Sequence, residues 1–225
     1  MGRVLAGMLV VLACCAVTTT AFAKKGFYVG GGFATQSASG DLDGKLWYTN
    51  TAGDRLGFVG KLEAGSGNDF DIGYNFNSYF GLEYFTMATQ NNATHTLEPN
   101  DSNAIVASAL LGVRLTAPMA DWLEGFLRIG NGATIVHYEK FGHQDNPGTV
   151  SPASPTTPFE LVGTGLAYGL GLEFFAGQHL GIWIGYTVFN PKFNRGQIGN
   201  DSLASLPKAL SETLTATDLT FAYHF

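Results

Sequence analysis

Beyond residue 15 the chain has no cysteine, and its only two, Cys14 and Cys15, stand together in an apolar run. Charge is also scarce, and acids outnumber bases to give a net charge of −6. After residue 23 no stretch approaches the run of about 20 apolar residues that a transmembrane helix needs. HExxH, GxSxG, Walker A and CxxC motifs are all missing. Each absence narrows the reading. A chain without paired thiols has no disulfide framework, so packing or backbone hydrogen bonding must hold it together. The acidic balance argues against nucleic acid as a partner. Without a catalytic or ligand-binding motif, neither an enzyme activity nor a cofactor is expected. His137, Glu139, His143 and Asp145 are close in sequence but read as polar loop residues, not a metal site.

What is present begins with residues 1–23, MGRVLAGMLVVLACCAVTTTAFA. One arginine, an apolar core and small residues up to Ala23 have the form of a secretory signal peptide, with cleavage expected before Lys24. A lipoprotein cut before Cys14 fits poorly, because Leu12 precedes it by two and the apolar core would be very short. Removal of Arg3 takes the net charge from −6 to −7. The expected organisation is a signal peptide, 1–23, and one domain, 24–225. Its glycine and aromatic content suits a β-sandwich as well as a barrel.

Period two recurs along this domain. Phe70, Ile72, Tyr74 and Phe76 alternate with Asp69, Asp71, Gly73 and Asn75. The same alternation marks 26–35, 78–86, 103–116, 121–130, 162–176, 179–189 and 214–225, for eight strands. Their connections alternate in length. Short joints at Asn77-Ser78, around Pro118 and at Gly177-Gln178 contrast with stretches of roughly 36–66, 88–102, 139–160 and 190–214. That sorting is the layout of a closed, antiparallel eight-stranded transmembrane β-barrel with both termini on the short-turn, periplasmic side. Lipid demands closure, since every backbone amide in hydrocarbon needs a partner.

The GFYVGGGF start, the GYNFNSYFGLEYF hairpin and the terminal FAYHF resemble the small eight-stranded outer-membrane barrels, the OmpA-like, OmpW-like and opacity-protein group. The resemblance spans the whole domain. It implies that Phe221, Tyr223 and Phe225 are read by the barrel-assembly machinery, and that outer-membrane lipid surrounds the protein. The chain departs from full-length OmpA proteins in carrying no peptidoglycan-binding domain after the barrel, so a cell-wall tether is not expected.

Parity sends Asp71, Glu83, Arg114, Glu124, Arg128 and Glu173 inward, with many glycines. Of these, Glu83, Arg114, Glu124, Arg128 and Glu173 are the expected lumen charge network, either a fixed plug or a gate that opens a narrow passage. Phe85, Leu110, Phe126, Phe175 and Trp183 also point inward, an apolar share similar to OmpW-like lumens, which are proposed to pass small hydrophobic molecules. A bulge near Asn131-Gly132 is expected to shift parity beyond it. Aromatic residues are expected to form two belts, one at Tyr74, Phe76, Tyr79, Phe80, Trp122, Phe174 and Phe225, the other at Tyr138, Phe141, Phe189 and Phe193. Leu203, Leu206, Leu210 and Leu214 suggest a short amphipathic helical turn, limited by Pro207. Long loops on a rigid scaffold point to a surface-interaction, adhesin-like role with a host or surface ligand.

Overall fold

The computed structural model describes residues 25–42, 47–49, 55–58, 60–95, 98–139, 158–198 and 202–225. The expected signal peptide, Phe141, His143 and Asp145 lie outside them. The described residues form ten strands: β1 Gly26–Gly40, β2 Trp47–Thr49, β3 Arg55–Phe58, β4 Lys61–Asn75, β5 Phe80–His95, β6 Glu98–Ala120, β7 Leu123–Tyr138, β8 Phe159–Ala176, β9 Leu180–Ile198 and β10 Ala204–His224. Eight of them close into an antiparallel barrel in the order β1-β10-β9-β8-β7-β6-β5-β4, and β2 pairs with β3 in a separate two-stranded sheet. Closure runs through β1 and β10, in register from Tyr28↔His224 to Gly40↔Glu212. The amide of Phe225 extends the seam by donating to the Phe27 carbonyl at 2.9 Å.

The short joints are tight for local reasons. Between β4 and β5 the Asn77 side-chain oxygen accepts from the Tyr79 and Phe80 amides at 2.8 and 2.9 Å. Gly177 turns β8 into β9 at φ +80°, a conformation that favours glycine. The β6–β7 turn falls at Asp121-Trp122, so Pro118 is still in β6, next to a register shift before Ala120.

The strands run far past the expected ends. A membrane-crossing strand needs about 9–11 residues, whereas β6 has 23 and β10 has 21. Much of what reads as long loop in sequence is therefore paired β-structure standing beyond the membrane. The segment 88–102 is nearly all strand, and 190–214 is largely the paired ends of β9 and β10. The helical turn expected around Leu206 and Leu210 is part of β10. Its pairing with β9 shifts register between Ser205 and Leu210, a stretch that contains Pro207, which has no N–H to give.

Polarity inverts along the same strands. Near the short turns of β10, Leu219, Phe221, Tyr223 and Phe225 are exposed while Asp218, Thr220 and His224 are buried. Higher up, Leu210, Leu214 and Ala216 are buried and Thr217 is exposed. Hydrocarbon outside the barrel rewards an apolar outer face, and water beyond the membrane rewards an apolar interior. The upper interior is accordingly one apolar core that includes Leu62, Val106, Val136, Leu161 and Leu214. Tyr138, Phe189 and Phe193 lie in that core, which corrects their expected place in an outer aromatic belt. The belt at the short-turn end is exposed, with Tyr74 against Phe76, Phe76 against Phe80, and Trp122 against Phe174.

Candidate functional site in the barrel lumen

The inward face near the short turns holds the charges. Asp71, Glu83, Arg114, Glu124, Arg128 and Glu173 are all buried inside the ring. Strands β4, β5, β6 and β8 supply Asp71, Glu83, Arg114 and Glu173 in turn, and β7 supplies both Glu124 and Arg128. Pairing of β6 and β7 continues through Asn131 without a register shift, so the expected bulge there does not form. Asn131 stays on the outer face, where its side-chain oxygen accepts from the Gly132 amide at 3.1 Å.

Arg114 is the better held of the two arginines. Its Nη2 donates to Glu173 Oε2 at 2.6 Å and its Nη1 to Glu83 Oε2 at 3.4 Å. Its guanidinium stacks among Phe126, Trp183 and Tyr28, with ring centroids at 4.1, 4.8 and 5.3 Å. A planar, weakly hydrated cation suits such a box of two carboxylates and three rings. Arg128 sits higher, its Nε 3.2 Å from Glu83 Oε1 and its Nη1 4.0 Å from Asp71 Oδ1, with its face over Phe85 at 4.4 Å. The Asp71 oxygens make no hydrogen bond among the described residues. Glu83 is the hub, touching both arginines and accepting from Tyr28 Oη at 2.7 Å. Glu124 lies directly across the ladder from Glu173.

Several participants escaped the sequence reading. Besides Tyr28, His224 Nε2 donates to Glu173 Oε1 at 2.7 Å, and Trp183 Nε1 donates to Asp218 Oδ2 at 3.1 Å. Thr220 Oγ1 hydrogen-bonds to Asp69 and, at 3.4 Å, to Asp218. Their positions obeyed parity. The alternation of β10 puts Asp218, Thr220 and His224 opposite its lipid-facing aromatics, and that signal could have found them.

The inward glycines make room for this cluster. A Cβ at Gly73 would strike the Tyr28 ring, one at Gly171 the Phe126 ring, and one at Gly181 the Glu173 carboxylate. At Gly185 a Cβ would come within 2.6 Å of both Asp218 oxygens. A ring of eight strands leaves little interior, so Tyr28, Phe126, Glu173 and Asp218 are each accommodated by a side chain missing nearby.

This geometry, a hydrogen-bonded ring with an apolar girdle and a charged interior, is that of an outer-membrane barrel, and the sequence agrees: residues 6–224 match the family described as outer membrane protein beta-barrel domain. The chain belongs to that family. It is an integral protein of the bacterial outer membrane. No curated protein sequence matches it. Among solved structures it is similar to OprG from Pseudomonas aeruginosa, at 15% identity and TM-score 0.58, over 92% of this chain and 99% of OprG. Ail, the attachment invasion locus protein of Yersinia pestis, is similar at 14% identity and TM-score 0.51, over 90% of this chain and 99% of Ail. AlkL, solved in DMPC bilayers, has 14% identity and TM-score 0.51, over 92% of this chain and 94% of AlkL. At such identities the likeness is one of fold.

Proposed function

We propose that this outer-membrane barrel is a scaffold with a sealed lumen, and that its function is surface interaction through the strand ends and loops beyond the membrane. The short turns and both termini then face the periplasm, residues 1–23 are removed as a signal peptide, and a host or surface ligand meets the opposite end. One observation carries the reading. Arg114, Arg128, Phe85, Phe126 and Trp183 fill the lower lumen so closely that each is at most 2% exposed. An apolar core closes the lumen above them. The charge network is thus read as a structural plug that braces facing walls. A catalytic role is not part of the proposal; His224 is held by Glu173, and His137 by Glu160 at 2.9 Å.

Purified protein in planar bilayers tests the seal. Small, rare conductance events are expected, and large steady conductance would overturn the plug. Binding of intact cells displaying the protein to surface ligands tests the other half, with the ends of β5–β6 and β9–β10 removed as the comparison.

A second reading has its own support. The side chains that fill the upper lumen, among them Phe85, Phe189, Phe193, Leu161 and Leu214, are apolar, so a passage opened there by their movement would suit small hydrophobic molecules. Saturable uptake of such a solute, lost when Phe189 is replaced by a charged residue, would favour passage over scaffolding.

Phe221, Tyr223 and Phe225 are proposed as the signal read by the barrel-assembly machinery. Deleting Phe225 should lower the assembled fraction several-fold, measured by heat-modifiable gel mobility. Unchanged assembly would remove these residues from that role.

A further inference from the structure

At the long-loop end the barrel wall has a gap, and the chain closes it by folding inward. β1 pairs with β10 as far as Gly40↔Glu212, and β4 pairs with β5 as far as Lys61↔Thr94. Between β1 and β4 themselves the ladder ends earlier, at Gln36↔Gly65. Above that pair the Leu62 amide reaches the Leu42 carbonyl at 3.4 Å.

A sharp bend brings Leu42 there. Gly40 takes φ +153°, which favours glycine, and a Cβ on it would come within 2.5 Å of the Ser211 carbonyl oxygen. Beyond the bend, Asp41 gives its amide to that carbonyl at 3.0 Å and accepts the Ser211 amide on its carboxylate at 2.8 Å. The next residue turns inside. Leu42 is 2% exposed, belongs to the apolar core of the upper lumen, and donates its amide to Glu212 Oε2 at 2.9 Å. On the returning side Gly60 is also buried, and its carbonyl accepts from Tyr138 Oη at 3.2 Å. Tyr138 stands on β7, three places from β4 around the ring, so this bond crosses the mouth.

The segments 41–42 and 60–62 are thus held over the lumen by two wall side chains, Glu212 and Tyr138, whereas the strands below are held by continuous ladders. A few exchangeable hydrogen bonds on a glycine bend open at less cost than a ladder does. We propose that these two segments are a lid on the long-loop mouth, hinged at Gly40 and latched by Glu212 and Tyr138, and that its opening admits small aliphatic molecules to the apolar upper lumen. Leu42 shows the class of molecule: the space it leaves on swinging out suits another aliphatic group. Passage rests on the second reading above, whereas the lid itself does not.

Thiol labelling in lipid nanodiscs follows the lid. In the full chain with Cys14→Ser and Cys15→Ser, Leu42→Cys should react with maleimide at least tenfold more slowly than Ser39→Cys, an exposed position on β1. Adding Glu212→Leu, or Tyr138→Phe, which keeps the ring in the core, should raise the rate at position 42 at least fivefold. Heat-modifiable mobility confirms that each barrel has assembled. Equal rates at positions 42 and 39, or a rate at 42 that neither latch variant changes, overturns the lid. Passage is read separately, with Asp41→Cys and Ser211→Cys combined to lock the lid shut. Oxidation should then lower uptake of n-decane by cells at least fivefold, and reductant should restore it. Uptake indifferent to the disulfide, with position 42 still released by the latch variants, overturns passage and leaves the lid.

Discussion

The two halves of the barrel interior have the same parity and opposite chemistry. Near the short turns, Glu83, Arg114, Arg128 and Glu173 meet among aromatic rings, whereas toward the long-loop end Leu161, Phe193 and Leu214 pack as they would in a soluble domain. The backbone is continuous between them, and what changes is the medium outside. Where lipid covers the outer face, backbone pairing and the apolar girdle hold the ring, and the interior is free to be polar. Where water surrounds the strands, an apolar interior stabilises them, and the polar side chains it does enclose, such as Gln36, Thr89 and Glu212, are hydrogen-bonded. The barrel is a membrane protein below and a soluble β-protein above, built on the same strands.

The comparison is broken most directly at Arg114. Arg114→Ala takes the arginine from Glu173, removes one of the two that serve Glu83, and empties the box of three rings. It should cost about 3–5 kcal/mol in reversible unfolding from detergent or lipid. Arg128→Ala should cost less, because its contact with Asp71 is long and its neighbour Glu83 keeps Arg114. Equal losses would mean that the two arginines are equally held, against the geometry.

In the upper half, Leu214→Ala should cost about 2–4 kcal/mol through the cavity it leaves. The loss should appear as early proteolysis or hydrogen exchange of the protruding strands while the membrane-embedded part stays protected. If both parts unfold together, the two halves form one cooperative unit and the contrast between them has no energetic meaning.

Gly73→Ala sharpens the role of space in the lower half. Its new methyl meets the Tyr28 ring, and overpacking of this kind costs about 1–3 kcal/mol. Combined with Tyr28→Phe the strain should remain, since the ring stays; combined with Tyr28→Ala it should disappear.

The smallest effect belongs to the exposed pair at the long-loop end of β4. Lys61 Nζ lies 3.2 Å from Glu63 Oε1. Hydrogen bonds from Lys61 and then Thr94 hold the Glu63 carboxyl below its ordinary range. A lowered carboxylate pKa contributes stability that is present near neutral pH and is lost as pH falls through the carboxylate range. Because both partners are solvated, Lys61→Ala should change unfolding within experimental error at any pH. A measurable loss would mean that surface charge matters to the protruding half.

The lower network was legible where strands alternate cleanly. Leu111, Val113 and Leu115 mark the outer face of β6, so Arg114, standing between two of them, follows as inward. The upper half misled for a definite reason. Leu206, Leu210 and Leu214 are four residues apart, a spacing that fits one face of a helix and equally one face of a strand, since four is twice two. Around them the polarity had already changed phase, with Thr213, Thr215 and Thr217 outward, so the lipid-facing rule used lower down no longer applied. Tyr138, Phe189 and Phe193 were misplaced for the same reason: aromatic residues near a membrane edge suggest a belt, but these occupy inward positions.

By itself the sequence determined the class of the molecule, because a period of two, alternating joints and a girdle of apolar residues leave a closed barrel as the arrangement that satisfies the backbone in lipid. It also determined which residues share a face, since parity is local to each strand. Tertiary structure alone decided which residues meet across the lumen. The pairing of Glu83 with both arginines, the room that Gly181 leaves for Glu173, and the height at which the interior turns apolar all depend on strand register and stagger. Those are properties of the closed ring, summed over eight pairings, and no single strand contains them.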